Sequence, residues 1–529
     1  MSRPSPQMRL RRPSWRAAAR GGALWWTAPS FLVFSVLRLP SFFEPHWYTD
    51  EASYVNVAKS LLRGRVLYSQ IWNNKPPLQS WTIATEVRFF GASEFGLHLL
   101  TYLTGLAALA ALAYAATRIL GVRRACVATL LCAIALGLPV VDAELALPES
   151  LLIAPVTWAG ALLLVRIDPR RLGSAPPRRL AIWPFVVGAL VAAGIAYQQT
   201  VVAEATAFGL IIALSPRTRW RDLVAYVGTV VVITAGWVAV AMATAGASKL
   251  AFALVGFYIP YTRSVLPSAG SGVVMHIAEV GIAAILLCVG AFLCRRLSTP
   301  AWAVVLWAGA ALLVAAMAGQ PYAHYLTAAA APVSLAVAAI PLPNRLRSFS
   351  RANTLRLVPA VAALAIAAAL ARVTGLDWVP EAAPSPAQNS SRTLTQYYGG
   401  AVRAAFSGDD SDWDGQFDAH VPADAAVASW ISQHGYSGAS AVIWSSDSWV
   451  YSLADLDVLM PTPPIYNDEV LLGNNGPVAT AVANINPMLI IVSADAESQW
   501  PEISGILAGG AYQRVFGSGQ VAIWLRNGS

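Results

Sequence analysis

Two acids and one lysine within a single stretch are the residues best placed to do chemistry. Tyr48-Thr49-Asp50-Glu51-Ala52-Ser53-Tyr54 sets a carboxylate pair directly after the first apolar run. Asn73-Asn74-Lys75-Pro76-Pro77-Leu78 sets an ammonium group where a helix begins, because proline is favoured in the first helical turn. Backbone N–H groups and the helix dipole at such a start attract anions, phosphate above all. A carboxylate beside a phosphate anchor is equipment for taking a proton from a hydroxyl while a phosphate departs. Each piece also has a plain reading: Asp50 and Glu51 as a helix cap and first-turn acid, Lys75 as a lysine snorkelling to an interface. Their combination in one loop favours chemistry.

Further polar groups fall at the ends of apolar runs. Asp142, Glu144 and Glu149 flank one pair of runs; Gln198, Gln199 and Glu204 flank another. Tyr258, Tyr261 and Arg263 follow a third, and Tyr322, His324 and Tyr325 open a late one. Charged groups at membrane depth are costly and usually line a cavity. Asp142, Glu144, Glu149, Gln199, Tyr258 and Tyr261 are therefore expected to bind substrate. For Glu204 and His324 the competing reading is burial with a structural partner, and Glu279, inside a run, takes no assigned role. The four cysteines (Cys126, Cys132, Cys288, Cys294) lack metal-ligand spacing and read as small buried hydrophobes.

The elements that carry these residues are membrane helices. Of 529 residues, 56% are hydrophobic and 12% charged, against about 45–50% and about 25% in soluble domains. That excludes a soluble enzyme throughout, a disordered chain and a disulfide scaffold. Apolar runs near 23–40, 97–118, 125–141, 149–166, 181–197, 200–214, 223–245, 273–294, 301–318, 322–340 and 357–373 give about eleven spans. The net charge of +8 does not point to nucleic acid, because its distribution encodes topology. With the N-terminus inside, the segments 1–22, 118–124, 166–180, 215–222, 295–300 and 341–356 hold 23 of 36 Lys+Arg and 2 of 28 Asp+Glu. The first run reads as a signal anchor.

This topology gives a basic cytoplasmic segment 1–22, a membrane domain 23–373 with an external loop 41–96, and an exported region 374–529. The loop is expected to hold an amphipathic helix over 51–63, capped by Gly64, and a second helix through about 90, lying flat on the membrane. After a Pro/Ser-rich linker at 380–392, the C-terminal region reads as a small α/β domain. Strands are expected at 439–444 and 488–493, helices at 424–434, 446–454 and 497–507, and a hairpin over 512–525. It holds no phosphate loop and no catalytic triad.

Asp50-Glu51-Ala-x-Tyr, Leu62-x-Gly64-x-x-Leu67-Tyr68 and Asn74-Lys75-Pro76-Pro77-Leu78 resemble the first external loop of GT-C glycosyltransferases. The nearest branch is the bacterial protein-mannosyltransferase-like (glycosyltransferase family 39) and aminoarabinose-transferase type. Gly319-Gln-Pro-Tyr-Ala-His324-Tyr325 resembles a second signature. The resemblance covers about residues 23–373. It implies a polytopic α-helical membrane protein of GT-C type, a polyprenyl-phosphate-sugar donor and inverting transfer at an external site. It also implies Asp50 as the catalytic carboxylate with Glu51 beside it, Lys75 on the donor phosphate, and His324 and Tyr325 near that phosphate. Gln320 and Gln198 stand where such proteins often carry Arg and Lys, which either shifts phosphate neutralisation toward Lys75 and Arg263 or implies a donor that sits differently. The expected acceptor is a glycan, glycolipid or protein hydroxyl, with the bilayer as partner. No cofactor is required, since activation is stored in the lipid-phosphate bond, although Asp50, Glu51, Asp142 and Glu144 together leave room for a divalent metal. A transporter or flippase of a lipid-linked sugar is the competing class, but the internal repeat it would be expected to show is not evident. A polymerase or ligase using a lipid-diphosphate oligosaccharide would want more external cations.

Overall fold

The computed structural model describes residues 24–168, 182–259, parts of 281–291, 300–317, 322–339, 377–378, 392–407, 411–418, 420–445, 447–463, 465, 468 and 477–528. Most of the apolar runs become helices close to their expected bounds: α1 (Ala28–Arg38), α4 (Glu94–Ile119), α5 (Val122–Gly137), α6 (Pro148–Ile167), α7 (Trp183–Tyr197), α8 (Val202–Leu214), α9 (Trp220–Ala245), α10 (Ala301–Met317) and α11 (Ala330–Ala339). Of these, α4, α6 and α9 are long and apolar enough to cross a membrane by length and composition. The polar Tyr197-Gln198-Gln199-Thr200 stretch separates α7 from α8, with Gln198 extended at φ −151°. The late run opens as a 3-10 turn, Ala323–Ala329, before α11 begins. Run 273–294 is described only at scattered positions. Run 357–373 and Glu279 lie outside the described residues.

Small residues let these helices approach closely, as helices in lipid must to gain packing energy. A Cβ on Gly160 would lie 2.7 Å from the Trp307 ring, and one on Gly105 2.6 Å from the Phe34 ring. Glycine at these points closes α6 on α10 and α4 on α1. The shared interior includes Leu112, Cys132, Leu152, Leu163, Val191, Phe208, Trp307 and Leu335. By contrast α9 leaves Val224, Val231, Val232 and Val240 exposed, the surface a lipid-facing helix presents.

The loop before α4 holds α2 (Thr49–Leu62) and α3 (Pro77–Phe90). Gly64 takes φ +87° just past α2, the left-handed conformation that only glycine adopts without cost. One expectation is corrected here: α2 does not lie flat on a membrane surface. Its residues 51–58 are all buried, including the polar Ser53 and Asn56, because the C-terminal region covers the face the membrane body leaves open. Asn56 Nδ2 donates to Ser448 O (2.7 Å), and the Ser452 hydroxyl donates to Asn56 Oδ1 (2.5 Å). Apolar surface is displayed instead by α3, where Trp81, Phe89 and Phe90 are exposed.

The C-terminal region contains α12 (Leu394–Ser407), α13 (His420–Gln433), α14 (Trp449–Leu453), α15 (Pro477–Ile485), α16 (Ala494–Gln499) and α17 (Ile503–Ala508). Its strands are β1 (Ser440–Trp444), β2 (Asp457–Val458), β3 (Leu489–Ser493), β4 (Tyr512–Ser518) and β5 (Val521–Arg526), in the order β2-β1-β3-β5-β4. β1 runs parallel to β2 and β3, with Ala441 opposite Leu489, and the β4–β5 hairpin adds antiparallel. The single helix expected over 497–507 is two short helices. Pro501 lacks the N–H that would continue the first, so the chain restarts at Ile503.

Candidate active site

Lys75 is built in from both sides. The Asn73 side-chain oxygen accepts the Lys75 backbone N–H (3.2 Å), an Asx turn, while Asn73 Nδ2 reaches Gln79 and Ser80 on the first turn of α3. The Tyr68 hydroxyl donates to Lys75 O at 2.8 Å. Tyr68 holds φ +67°, a strained setting for a bulky side chain. Pro76 and Pro77 then fix the chain into α3. The Lys75 residue is 8% exposed. Burial alone would lower its pKa, but Tyr258, Glu149 and Asp50 outweigh burial and hold the ammonium above its ordinary value.

Three separate elements therefore act on the Lys75 ammonium, and Tyr258 also hydrogen-bonds it. Asp50 comes from the first turn of α2, Glu149 from the first turn of α6, and Tyr258 from the segment after α9. Gln198 Nε2 donates to Glu149 Oε1 (2.7 Å), which fixes that carboxylate, and the Tyr258 hydroxyl also donates to Asn74 O (3.3 Å). Gln199 turns away and donates to Leu254 O (3.2 Å).

The two adjacent acids part company. Asp50 is half-buried, and its charge helps hold the Lys75 ammonium above its ordinary pKa. Glu51 is 1% exposed and accepts a short bond from the Ala146 N–H. Burial, with Glu44 and Glu144 nearby, pushes its pKa well above the carboxylate range, so its neutral form is favoured unless a cation sits beside it. Neither acid caps α2, whose cap residue is Tyr48.

His324 and Tyr325 reach the start of α2 through Tyr48. The Tyr48 hydroxyl and His324 Nδ1 are 3.5 Å apart, and His324 lies edge-on to Tyr325 with ring centroids 4.3 Å apart. Asp142 is buried at φ +47° in the α5–α6 loop, where Thr327 also donates to Val141 O (2.6 Å). Glu144 is drawn elsewhere: its carboxylate pairs with Arg38 at 3.4 Å, with burial raising its pKa to about 7. Glu204 accepts from Trp307 Nε1 (2.9 Å), the structural partnership weighed for it above. Tyr261, Arg263 and Gln320 lie outside the described residues. Among the described residues, the group of His, Cys, Asp and Glu whose ligand atoms come within 4.8 Å of one another is Glu51, Glu94 and His98. Asp50, Asp142 and Glu144 are not in it.

Sequence reading passed over Tyr68 and Asn73 as site-builders, and Glu94 and His98 altogether. Asn73 had a signal: an asparagine two residues ahead of a lysine and two prolines is a turn former. Glu94 and His98, one helical turn apart, carry no spacing that separates them from a first-turn acid and a histidine in an apolar run.

This arrangement defines a polytopic helical membrane protein of the GT-C fold. Among solved structures the chain is similar to ArnT from Cupriavidus metallidurans bound to undecaprenyl phosphate, with 17% identity and a TM-score of 0.61 over 97% of this chain and 99% of that one. The same protein in its apo state matches with 17% identity and a TM-score of 0.59 over 96% and 98%. No protein-family model and no curated protein sequence matches the chain.

Proposed function

We propose that the chain is a membrane glycosyltransferase that moves one sugar from a polyprenyl-phosphate donor to an acceptor hydroxyl outside the cytoplasm, with inversion. One observation carries the reading: a buried lysine, fixed at a helix start, shares its electrostatic environment with the half-buried Asp50. The fold shared with a protein solved with undecaprenyl phosphate supports it.

On this reading Asp50 accepts the acceptor's proton as the acceptor oxygen bonds to the anomeric carbon. The bond from that carbon to the phosphate oxygen breaks on the opposite face. The lipid phosphate leaves as a monoester, and its charge rises from about −1 toward −2. Lys75 and the start of α3 stabilise that growing charge, with Arg263, His324 and Tyr325 on the same phosphate. Glu149 and Tyr258 hold Lys75 in place, and Asp142 and Tyr261 border the sugar and acceptor, while Gln199, bonded to Leu254 O, drops out of the expected substrate contacts. The lipid-phosphate bond supplies the activation, so the scheme requires no cofactor. The reading includes eleven spans, with loop 41–96 and region 374–529 on the extracytoplasmic side, the latter handling the acceptor.

The test is a transfer assay in membranes with labelled polyprenyl-phosphate sugars. Asp50→Asn is expected to lose turnover by about 10²–10⁴-fold while still binding donor. Lys75→Ala is expected to weaken donor binding. Full turnover in Asp50→Asn would remove it as the base. Movement of a lipid-linked sugar across the bilayer with no glycosidic bond formed would replace the enzyme reading with a transporter.

A further inference from the structure

Behind the helix start that carries Asp50 lies a second group of ionisable side chains that the transfer reaction does not use. Glu94 and His98 stand one turn apart at the start of α4, and Glu51 reaches them from α2. Glu94, His98 and Glu51 are all buried, at 5%, 0% and 1% exposure. His98 Nδ1 makes a short hydrogen bond to Ser41 O, and a carbonyl only accepts, so Nδ1 carries the proton. In the neutral ring Nε2 then offers a lone pair. That lone pair faces Glu94 Oε2 at 3.5 Å and Glu51 Oε1 at 4.0 Å. Among the described residues, Nε2, both Glu94 oxygens and Glu51 Oε2 have no hydrogen-bond partner, although each is shielded from solvent.

Acceptors that face one another in a dry pocket need something positive between them. A shared proton would draw the Glu94 oxygen and Nε2 to hydrogen-bond distance, about 2.7–3.2 Å. A tetrahedral ion with bonds of about 2.0–2.2 Å spaces its ligand atoms roughly 3.4 Å apart. The Glu94–His98 pair already has that spacing, and Glu51 Oε1, 4.0 Å from Nε2, needs to close on that nitrogen by roughly half an ångström. A ring whose other nitrogen donates to a backbone carbonyl is also the usual setting of a metal-bound histidine. The charge balance points the same way. Glu44 and Glu86 also act on Glu94, and Glu44 and Glu144 on Glu51, where Arg38, paired with Glu144, offsets them only in part.

We infer that Glu51, Glu94 and His98 bind a divalent first-row transition ion, with Zn²⁺ the best chemical match to one imidazole and two carboxylates. The ion ties the start of α2 to the start of α4 and, through His98 Nδ1, to Ser41 beyond the end of α1. It is a positioning site: it holds Glu51, and so sets the turn from which the neighbouring Asp50 projects. Because the ligands are buried, the ion enters as the chain folds.

The test uses the full chain, produced without a histidine tag in medium supplemented with Zn²⁺ or with Co²⁺, purified in detergent and dialysed against a chelator. Elemental analysis is expected to find about one equivalent of metal per chain. The Co²⁺ form is expected to show visible d–d absorption. Glu94→Gln and His98→Gln should lower the content at least tenfold, while Glu86→Gln, next to the group but outside it, should keep it. A folded wild-type chain without stoichiometric metal in either medium would overturn the inference, and this measurement does not depend on the variants folding. Unchanged metal content in Glu94→Gln would overturn it as well. Neither readout involves sugar transfer, so this inference and the proposed reaction fail separately.

Discussion

Asp50 and Glu51 are neighbours of the same chemical type, and the fold assigns them opposite surroundings. Asp50 shares the Lys75 environment, whereas Glu51 is sealed behind the Ala146 backbone, among carboxyls that raise its pKa. Glu51→Gln keeps the size of the side chain and one acceptor oxygen. Its transfer rate should fall by about 10–100-fold through loss of the positioning it gives Asp50, against up to about 10⁴-fold for Asp50→Asn, in the same membrane assay. Equal losses would make the pair a joint base. A second carboxyl pair permits a test by pH. Burial first, then its acidic neighbours, pushes Asp424 well above the carboxylate range, and burial lifts Asp447 to about 6. A carboxyl whose pKa folding raises binds its proton more tightly in the folded state. Its stabilising contribution is therefore complete below the ordinary value of 3.8 and is lost as pH rises through about 6. The melting temperature in detergent should drop by several degrees between about pH 5 and pH 8. Asp424→Asn should flatten that slope, because it removes the like-charged neighbour. Glu44, raised by burial to about 8, and Glu144 act in the same direction, so part of the slope will remain.

At the scale of elements, α2 couples the two halves of the chain. Its far side is bound to the C-terminal region by two kinds of contact. Lys59 and Arg63 pair with Asp455 at 2.8 and 2.9 Å, but Asp455 is 63% exposed and water screens it. Asn56 is 1% exposed and bonds Ser448 and Ser452. Exposed pairs are typically worth about 0–1 kcal/mol, and a buried polar group left unpaired costs about 1–3 kcal/mol. Asn56→Ala should therefore loosen the C-terminal region more than Asp455→Ala, read by thermal melting and by the rate of proteolysis around residue 434. The reverse order would mean that charge, not buried hydrogen bonding, holds the two parts together. The amphipathic pattern over 51–63 was legible in the sequence, and so was the Gly64 cap. What covers the helix was not, because an apolar stripe reads the same against lipid as against protein. Asn56 was the residue that should have raised doubt, since a membrane-surface helix gains nothing from polar Asn56 and Ser53 on buried faces. The break at Gln198 and the strands of the α/β region were readable for local reasons: polar interruption, alternation and glycine turns. The gathering of Glu51, Glu94 and His98 was not readable, since 43 residues separate its two halves and no periodicity links them.

For the whole molecule, topology decides which side the proposed chemistry faces, and charge is the physical agent that sets it. Arginines cluster in the segments assigned to the cytoplasm, which hold 23 of 36 cationic side chains and 2 of 28 acids. Basic residues resist translocation across the membrane, which on the proposed assignment keeps alternate loops inside and exports the rest. The site around Lys75 lies in the first exported loop on this assignment, and the covering contacts on α2 carry the C-terminal region to the same side. These two statements are linked: loop 41–96 and residues 420–526 cannot face opposite compartments while Asn56 holds Ser448 and the Trp72 N–H donates to Pro461 O (2.8 Å). A single pair of cysteine variants tests them together, in a background where Cys126, Cys132, Cys288 and Cys294 are replaced by alanine. Gln433→Cys lies at an exposed position at the end of α13, and Arg221→Cys at an exposed position at the start of α9, in a basic segment. A membrane-impermeant maleimide applied to intact cells should label the first variant and not the second, and breaking the membrane should make both reactive. Labelling of the second variant alone in intact cells would invert the whole arrangement and place the proposed donor site inside the cell, where the acceptors named here would have to be exchanged for cytoplasmic ones.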